Sequence, residues 1–300
     1  VEKKARGQAD FIEYFGKQAA KRHKNDSKSI GVNWDRAHDL LKIFTKDKPL
    51  PFAQIDMHLI ESFRDFLLKA PRGGNKSGTI SQNTASTYFT LFKAALHQAF
   101  IDSYFDVDIA AKVKGISGVE SRREYLTIEE LNKLAATPCE YPMLKKAAFF
   151  SALTGLRHSD IRKMTWKELS VEGDHYRINF TQRKTGGVEY MPISEQAYLI
   201  CGEPAEPDRL VFEGVQDPSW INRPVKKWIE AAGIKKHITF HCFRHSYATN
   251  QLTEGTDLYT VSKMLGHTNI RTTQIYAKVV DSKKEEAAQA IKLNLQSDVI

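Results

Sequence analysis

The sequence is poor in cysteine and has no long apolar run. Its three cysteines, Cys139, Cys201 and Cys242, are far apart and odd in number, so we expect no disulfide framework and a reducing compartment. No apolar stretch approaches the roughly 18 residues that a membrane helix requires, and the N-terminus has no signal-peptide pattern. These absences argue against secreted and membrane-spanning classes, and we expect a cytoplasmic protein without a membrane partner.

The sequence has fewer acidic than basic residues. The 300 residues include 44 lysines and arginines against 36 aspartates and glutamates, which gives a formal net charge of +8. This excess favours a polyanionic partner such as nucleic acid, although solvated surface lysines can produce the same balance. A hydrophobic content of 41% is enough for one large or two ordinary domains with proper cores.

The first 105 residues show helical periodicity and no strand pattern. Apolar residues recur at helical spacing in four segments, and the second segment carries Ile30, Trp34, Ala37, Leu41 and Phe44. Asp56 and Ser81 precede the third and fourth segments and are predicted N-caps. We therefore predict a small four-helix domain over residues 1–105.

A linker and a second domain are predicted to follow. Residues 106–122 have weak periodicity and two glycines, and we interpret them as the linker. The second domain then spans residues 123–300. Thr127 and Glu130 have the spacing of a capping box, which predicts a helix that begins there. The amphipathic pattern of residues 283–300 predicts a C-terminal tail helix.

One β-hairpin is predicted inside the second domain. Apolar and polar residues alternate over Tyr176–Thr181 and again over Val188–Ile193, and Gly186 and Gly187 can form the turn. Lys184 lies near the tip of this hairpin. It can be an ordinary solvated turn lysine, or an ammonium that reaches a DNA groove and donates a proton to a leaving oxygen. The predicted fold is thus mainly α with a small β-hairpin or sheet.

Two arginines have the character of phosphate ligands. In-line cleavage of a phosphodiester places negative charge on the non-bridging oxygens, and the planar fork of arginine can bind two of them. Arg157 follows Gly155, a predicted helix C-cap, and precedes Ser159, a predicted N-cap. Arg244 is the second candidate. An arginine at position 157 can also cover surface or pair with Asp160.

Histidines accompany the second arginine. His241 and Arg244 are separated by one helical turn, and His245 can share their face. A zinc site is a weaker interpretation, because such sites need three or four ligands and Cys242 lies off that face. Buried histidines with ordinary hydrogen bonds remain an alternative. His267, after Gly266, is a further candidate for a phosphate contact at the edge of a cleft.

Tyr276 is the candidate nucleophile. Thr272 or Thr273 is a predicted cap of a short helix that carries Tyr276. An arbitrary tyrosine on a short helix is usually a packing residue. Since a free phenol has a pKa near 10, nearby cations and a base must help it to ionise before it can attack.

Together these residues resemble the catalytic set of the tyrosine recombinases, the phage-integrase family. In that family an arginine, a hairpin lysine, a His-x-x-Arg pair, a histidine after Leu-Gly and a tyrosine follow in this order. The matching residues are Arg157, Lys184, His241, Arg244, His267 and Tyr276. The resemblance is strongest from residue 123 to about residue 280, and the first hundred residues are similar only in their four-helix pattern.

The resemblance implies a helical core-site DNA-binding domain followed by a tyrosine-recombinase catalytic domain. It implies a site-specific recombinase or integrase in which Tyr276 forms a 3′-phosphotyrosine and frees a 5′ hydroxyl. Arg157, Arg244 and His267 would bind the scissile phosphate. Because one phosphoester replaces another, neither ATP, a metal nor any other cofactor is expected.

Further residues receive roles by the same resemblance. His241 and Lys184 would handle protons, Asp160 would orient Arg157, and His245 would support the site. The expected partners are double-stranded DNA, identical subunits that form a tetramer on paired sites, and accessory DNA-bending proteins. A monomer is compatible with the protein in the absence of DNA.

The ends of the chain carry two expectations. Many integrases have an additional arm-binding domain at the N-terminus, so a start at Val1 predicts a truncated chain. The tail after Tyr276 often docks on a neighbouring subunit in the family. For residues 283–300, docking on the neighbour and packing on their own domain are equally compatible with the pattern.

Two alternatives stay open. A type IB topoisomerase uses a similar set of residues to relax supercoils. A non-catalytic DNA-binding regulator could share the fold and lack the chemistry. The separate helical domain and the Leu265-Gly266-His267 sequence favour a recombinase.

Overall fold

The chain divides into two compact units. A computed structural model describes residues 6–25, 28–73, 77–119, 123–181 and 188–277. The first unit is Val1–Ser121 and the second is Arg122–Ile300. None of the helices in the described ranges combines the length and the apolar character needed to cross a bilayer.

Helices build the described part of the first unit. They are α1 Phe11–Asn25, α2 Lys28–Thr45, α3 Met57–Leu67 and α4 Gln82–Ile101, with short 3-10 turns at Phe52–Gln54 and Ile109–Lys112. The Asp56 carboxylate accepts a hydrogen bond from the amide of Leu59 at 2.8 Å. The Ser81 hydroxyl accepts one from the amide of Thr84 at 3.2 Å. The two predicted N-caps are therefore confirmed.

The core of this unit is rich in aromatic rings. Phe11, Phe15, Phe63 and Phe92 are fully buried, and the ring centroids of Phe63 and Phe92 are 4.6 Å apart. The buried apolar face of α2 begins one turn later than predicted, since Ile30 in the first turn is 42% exposed. Apolar burial at helical spacing accounts for the core.

The linker interpretation is wrong for most of its length. Ala110 and Val113 are buried in the core of the first unit. The Ser86 hydroxyl donates to the carbonyl of Ile116 at 2.7 Å, and the Lys93 ammonium donates to the carbonyl of Val113 at 2.6 Å. A 3-10 turn followed by irregular backbone buries single residues that are not spaced at regular intervals. The sequence therefore shows no apolar periodicity from which this packing could be predicted.

The described part of the second unit combines helices with a three-stranded sheet. Its helices are α5 Ile128–Ala136, α6 Pro142–Thr154, α7 His158–Ile161, α8 Glu195–Cys201, α9 Asn222–Ala231, α10 Phe240–Thr253, α11 Leu258–Met264 and α12 Arg271–Ala277, and its strands are β1 Leu169–Glu172, β2 His175–Thr181 and β3 Val188–Ile193. A 3-10 turn, Trp166–Glu168, precedes β1. The prediction of a mainly α fold with a small sheet is confirmed.

The sheet is antiparallel with the order β1-β2-β3. Tyr176 pairs with Ile193 and Thr181 with Val188, so the predicted hairpin arms are confirmed. Strand β1 was not predicted, because four residues are too few for a clear alternation. Lys184, which was predicted to lie near the hairpin tip, is outside the described residues, as is the predicted tail helix.

Helix α10 is the central element of this unit. The residues from Phe240 to Thr249 are buried, apart from His241. At the start of the unit, Thr127 and Glu130 form the predicted capping box: Glu130 N donates to Thr127 Oγ1 at 3.3 Å, and Thr127 N to Glu130 Oε2 at 2.9 Å. Helix α10 carries three of the side chains that were predicted to act in chemistry, His241, Arg244 and His245.

Candidate active site

The turn between α6 and α7 positions Arg157. Gly155 ends α6 as its C-cap with φ 71°, the left-handed region that glycine adopts without strain, as predicted. A Cβ atom at this position would lie 2.6 Å from the ring of Tyr247. Arg157 is the N-cap of α7, which begins at His158. The prediction of Ser159 as that cap is wrong, since the turn after Gly155 is two residues shorter than expected.

Asp160 lies beside Arg157. Their side chains are one helical turn apart, and Arg157 NH1 is 4.0 Å from Asp160 Oδ2. The Asp160 side chain is 1% exposed and that of Arg157 is 15% exposed. A buried carboxylate at this distance attracts the guanidinium and restricts its position.

The guanidinium of Arg244 is anchored to two backbone carbonyls. It is 3% exposed, and it donates to the carbonyl oxygens of Gly155 and Leu265, the latter at 2.7 Å. Its NH2 group also lies 3.0 Å from His267 Nε2. Burial, and then the charge of Arg157, lower the pKa of Arg244 to about 10, so the group is still protonated at neutral pH.

This anchoring uses part of the donor capacity of Arg244. A guanidinium has five N–H donors, and the contacts with Gly155, Leu265 and His267 use three. Two N–H groups therefore have no partner among these contacts and can bind phosphate oxygens. The carbonyl contacts restrict the guanidinium before any substrate arrives, which is the preorganisation that favours transition-state binding.

His267 connects Arg244 to the tyrosine helix. It follows Gly266, and its Nδ1 lies 2.8 Å from the hydroxyl oxygen of Thr273 on α12. Because arginine only donates hydrogen bonds, Nε2 of His267 must be the acceptor in its contact with Arg244. In a neutral imidazole the proton then lies on Nδ1 and is donated to Thr273.

Tyr276 is buried, and its hydroxyl contacts a histidine. The residue is 4% exposed, and its phenolic oxygen lies 2.7 Å from His245 Nδ1. Burial raises the pKa of Tyr276, whereas the positive charges of Arg244, Arg123 and Arg157 oppose that rise. The phenol is therefore neutral at rest and already lies in the field of three cations.

His245 is closer to the tyrosine than its predicted supporting role implied. It is 5% exposed. Burial, followed by the charge of His241, lowers the pKa of His245 to about 3, so its imidazole is neutral at ordinary pH. A neutral imidazole can accept the hydrogen bond of the phenol through Nδ1. Because the pKa is so low, this histidine orients the phenol better than it would remove its proton.

His241 lies at the solvent side of this cluster. It is exposed, and its ring centroid is 4.5 Å from that of His245. The sequence placed His241, Arg244 and His245 on one helical face, and the structure separates them by depth. Arg244 and His245 are buried, while His241 is open to a substrate and to water.

Sequence reasoning missed two residues of the site. Arg123 was not predicted as a site residue, yet its charge opposes the rise in the pKa of Tyr276 and helps to lower the pKa of His245. Thr273 was noted only as a possible cap, and its hydroxyl instead contacts His267. Arg123 is far in sequence from Tyr276 and His245, so no local pattern could have revealed its place. Thr273 is only six residues from His267, and their contact depends on the turn between α11 and α12 rather than on a helical spacing.

The metal interpretation gains no support from Cys242. Its sulfur accepts a hydrogen bond from the amide of Thr239 at 3.3 Å and so caps α10. Within the described ranges, no three His, Cys, Asp or Glu side chains are grouped closely enough to bind a metal ion.

Two family models match the sequence. The model described as the phage integrase family matches residues 124–283, and that described as a phage integrase SAM-like domain matches residues 10–114. A tyrosine recombinase of Thermosipho africanus is 24% identical over 267 residues, which cover 85% of this chain and 94% of that protein. Tyrosine recombinase XerC of Rhizobium meliloti is 27% identical over 237 residues, which cover 72% and 71%.

Solved structures share the fold. The post-cleavage complex of the XerH site-specific recombinase with palindromic difH substrate has a TM-score of 0.70 at 19% identity and covers 91% of this chain and 83% of that chain. A lambda integrase dimer bound to a COC′ core site has a TM-score of 0.66 at 16% identity and covers 88% and 94%. The expected order of a helical domain and a catalytic domain is thereby confirmed. Since the first family model covers more than half of the chain, the protein belongs to the phage integrase family and is an enzyme of the tyrosine-recombinase class.

Proposed function

We propose that this enzyme is a site-specific DNA recombinase in which Tyr276 attacks a DNA phosphate. The observation that carries the proposal is the position of the Tyr276 hydroxyl. It contacts His245 at 2.7 Å, and the charges of Arg244, Arg123 and Arg157 act on its pKa. A phenol surrounded by cations is suited to attack a phosphodiester, because the same cations stabilise the negative charge of the transition state.

The reaction exchanges one phosphoester for another. The Tyr276 hydroxyl gives up its proton and its oxygen forms a bond to phosphorus. The bond from phosphorus to the 5′ oxygen breaks, and that oxygen takes up a proton, so no net proton is consumed. The products are a 3′-phosphotyrosine and a free 5′ hydroxyl. Attack by a 5′ hydroxyl of a partner strand reverses the step and joins new neighbours, so neither ATP nor a metal is needed for the energy balance.

Two arginines bind the phosphate in this proposal. Arg157 and Arg244 contact the non-bridging oxygens, and Asp160 orients Arg157. Arg244 can do so with the two N–H groups that the contacts with Gly155, Leu265 and His267 leave over. A planar fork that is already fixed by backbone carbonyls loses little entropy when it binds.

Protons are handled by the histidines and the hairpin lysine in this proposal. His245 accepts the hydrogen bond of the phenol and fixes its direction. His241, exposed beside it, is the group that exchanges protons with solvent and substrate. Lys184 donates a proton to the 5′ oxygen. This last role rests on the family resemblance, since the residue lies outside the described ranges.

The proposed substrate is double-stranded DNA, and the proposed assembly is a tetramer on paired sites. Support comes from the solved relatives, which include XerH with difH substrate and a lambda integrase tetramer on a Holliday junction. Residues 1–105 are the proposed core-site DNA-binding domain, and the match of residues 10–114 to a phage integrase SAM-like domain supports this. Accessory DNA-bending proteins are proposed as further partners.

Tyr276→Phe tests the function directly. The variant keeps the buried ring and removes the attacking oxygen, so we expect normal DNA binding and complete loss of the covalent adduct. The measurement uses a nicked suicide substrate. The short fragment that carries the free 5′ hydroxyl diffuses away, and the covalent adduct is resolved on a denaturing gel. Tyr14→Phe, which removes another buried phenol, is the matched control and should form the adduct at the wild-type rate.

Three outcomes distinguish the alternatives. An adduct with wild type and strand exchange between two sites support the recombinase. An adduct with relaxation of supercoils and no exchange would favour a topoisomerase. Binding without an adduct in the wild-type protein would favour a regulator and contradict the proposal.

A further inference from the structure

Thr273 is a buried polar residue with no assigned role in the reaction. It is fully buried on α12, one helical turn before Tyr276. Its hydroxyl oxygen lies 2.8 Å from His267 Nδ1, and His267 Nε2 lies 3.0 Å from the Arg244 guanidinium. Thr273, His267 and Arg244 therefore form a continuous chain of hydrogen bonds from the tyrosine helix to the proposed phosphate ligand.

The donor chemistry sets the direction of this chain. Arginine can only donate, so Nε2 of His267 carries no proton in the observed contact. The proton of the neutral imidazole must then lie on Nδ1, where it faces the Thr273 oxygen. The opposite tautomer would place an N–H of His267 against an N–H of Arg244 at 3.0 Å, which is repulsive.

We propose that Thr273 is a positioning residue for DNA cleavage: its buried hydroxyl accepts the Nδ1 proton of His267 and so keeps Nε2 as the acceptor for Arg244. The proposal deepens the proposed function and rests on it. A hydroxyl can serve here because it accepts one hydrogen bond and can donate another. This contact with Arg244 belongs to the DNA-free protein. The expected contact of His267 with phosphate stays a prediction, and it would use an Nε2 that has taken up a proton.

The chain also couples two parts of the site. Thr273 and Tyr276 are separated by one turn of α12, so a shift of this helix moves both the nucleophile and the acceptor of His267. The orientation of Arg244 is thereby linked to the position of the tyrosine helix. Errors of about 1 Å in the relative position of reacting groups can slow a reaction by about 10²-fold.

The first test compares three threonine variants. Thr273→Val fills the same buried space without a hydroxyl, and Thr273→Ser restores the hydroxyl. We expect Thr273→Val to slow cleavage of prebound suicide substrate about 10-fold or more, with DNA affinity changed less than about 2-fold. Thr273→Ser should recover the rate to within about 3-fold. Thr272→Val, at the exposed neighbouring position, is the matched control and should cleave normally.

A second measurement does not depend on activity. Nitrogen-15 NMR of the DNA-free protein, labelled at histidine, distinguishes a protonated Nδ1 from a protonated Nε2. The His267 signals are assigned by their loss in His267→Asn. We expect the Nδ1–H tautomer in wild type and in Thr273→Ser, and a changed or mixed pattern in Thr273→Val.

The outcomes separate this proposal from the proposed function. A Thr273→Val protein with the wild-type cleavage rate and an unchanged His267 tautomer would overturn it. Equal slowing by valine and serine, with equal loss of thermal stability, would assign Thr273 a merely structural role and overturn it too. If wild type forms no adduct, the recombinase proposal fails, while the tautomer of His267 is still measured by NMR.

Discussion

Two buried tyrosines, one in each unit, lie in opposite electrostatic surroundings. In the first unit, the hydroxyl of Tyr14 donates to Asp102 Oδ2 at 2.6 Å. In the second, the hydroxyl of Tyr276 contacts the neutral His245 at 2.7 Å. Both side chains are at most 9% exposed, so burial alone does not distinguish them.

The neighbouring charges make the difference. Burial raises the pKa of both phenols. For Tyr14 the hydrogen bond to Asp102 and the carboxylate charge raise the pKa further, whereas for Tyr276 the charges of Arg244, Arg123 and Arg157 oppose the rise. An anion stabilises the protonated phenol, and cations stabilise the phenolate. The comparison shows why a buried tyrosine can be a structural residue in one unit and a nucleophile candidate in the other.

Among the substitutions considered, Arg244→Lys should impair the cationic surroundings of Tyr276 most. Lysine keeps the charge but loses the fork and cannot satisfy the carbonyls of Gly155 and Leu265 in the same geometry. We expect cleavage of a suicide substrate to slow by about 10²-fold or more. The free energy of unfolding should fall by about 1–3 kcal/mol, as measured by chemical denaturation. A cleavage rate near that of wild type would contradict a direct role of Arg244.

Gly155→Ala should perturb the same site through the backbone. The left-handed φ costs alanine about 1–2 kcal/mol, and the clash of its Cβ with Tyr247 adds about 1–3 kcal/mol. Cleavage should also slow, because the carbonyl of Gly155 anchors Arg244. Gly173→Ala is the matched control, since Gly173 has φ 58° and no atom within 4 Å of the added Cβ. Equal destabilisation by both substitutions would exclude a contribution from the clash.

The pH dependence of stability should report on His245. Its pKa in the folded protein is about 3, below the ordinary value of 6.5. The unfolded chain therefore binds a proton first as the pH falls, and the free energy of unfolding decreases below pH 6.5. This residue can contribute a slope of up to about 1.4 kcal/mol per pH unit. All of the charged neighbours named for it, His241, Arg123, Arg244 and His267, act in the same direction.

His245→Asn provides the test of that slope. Unfolding titrations at pH 7.5, 6 and 5 should give a flatter dependence than in wild type. His38 and His158 also have a pKa lowered by burial, so a smaller slope of the same sign should remain. An unchanged slope would show that His245 is protonated in the folded protein, which is incompatible with the hydrogen bond inferred for Tyr276.

Tyr14→Phe should have the smallest effect, and it tests the anionic surroundings of the tyrosine in the first unit. Loss of the hydrogen bond to Asp102 should lower the free energy of unfolding by about 1 kcal/mol. The same bond is the first cause of the lowered pKa of Asp102, so that pKa should rise in the variant. NMR titration of the Asp102 carboxyl measures the change. An unchanged pKa would indicate that the bond is absent in solution.

The sequence predicted structure correctly where the interaction joins residues close together in the chain. The caps at Asp56, Ser81 and Thr127 join a side chain to a backbone group three residues away. The arms of the hairpin follow from alternation along each strand. Strand β1 and the packing of Ala110 and Val113 have no such periodic signal, so they became apparent only in the fold.

The sequence alone therefore determined the family, the helical character, the caps and the residue types needed for phosphoryl transfer, because these depend on composition, spacing and order. Tertiary structure decided which groups meet. It brought His245 to the Tyr276 hydroxyl, placed the backbone carbonyls of Gly155 and Leu265 around Arg244, and aligned Thr273 with His267. The physical reason is that hydrogen bonds and desolvation act over a few ångströms in space, between groups that can be more than 80 residues apart in the chain, as Arg244 and Gly155 are.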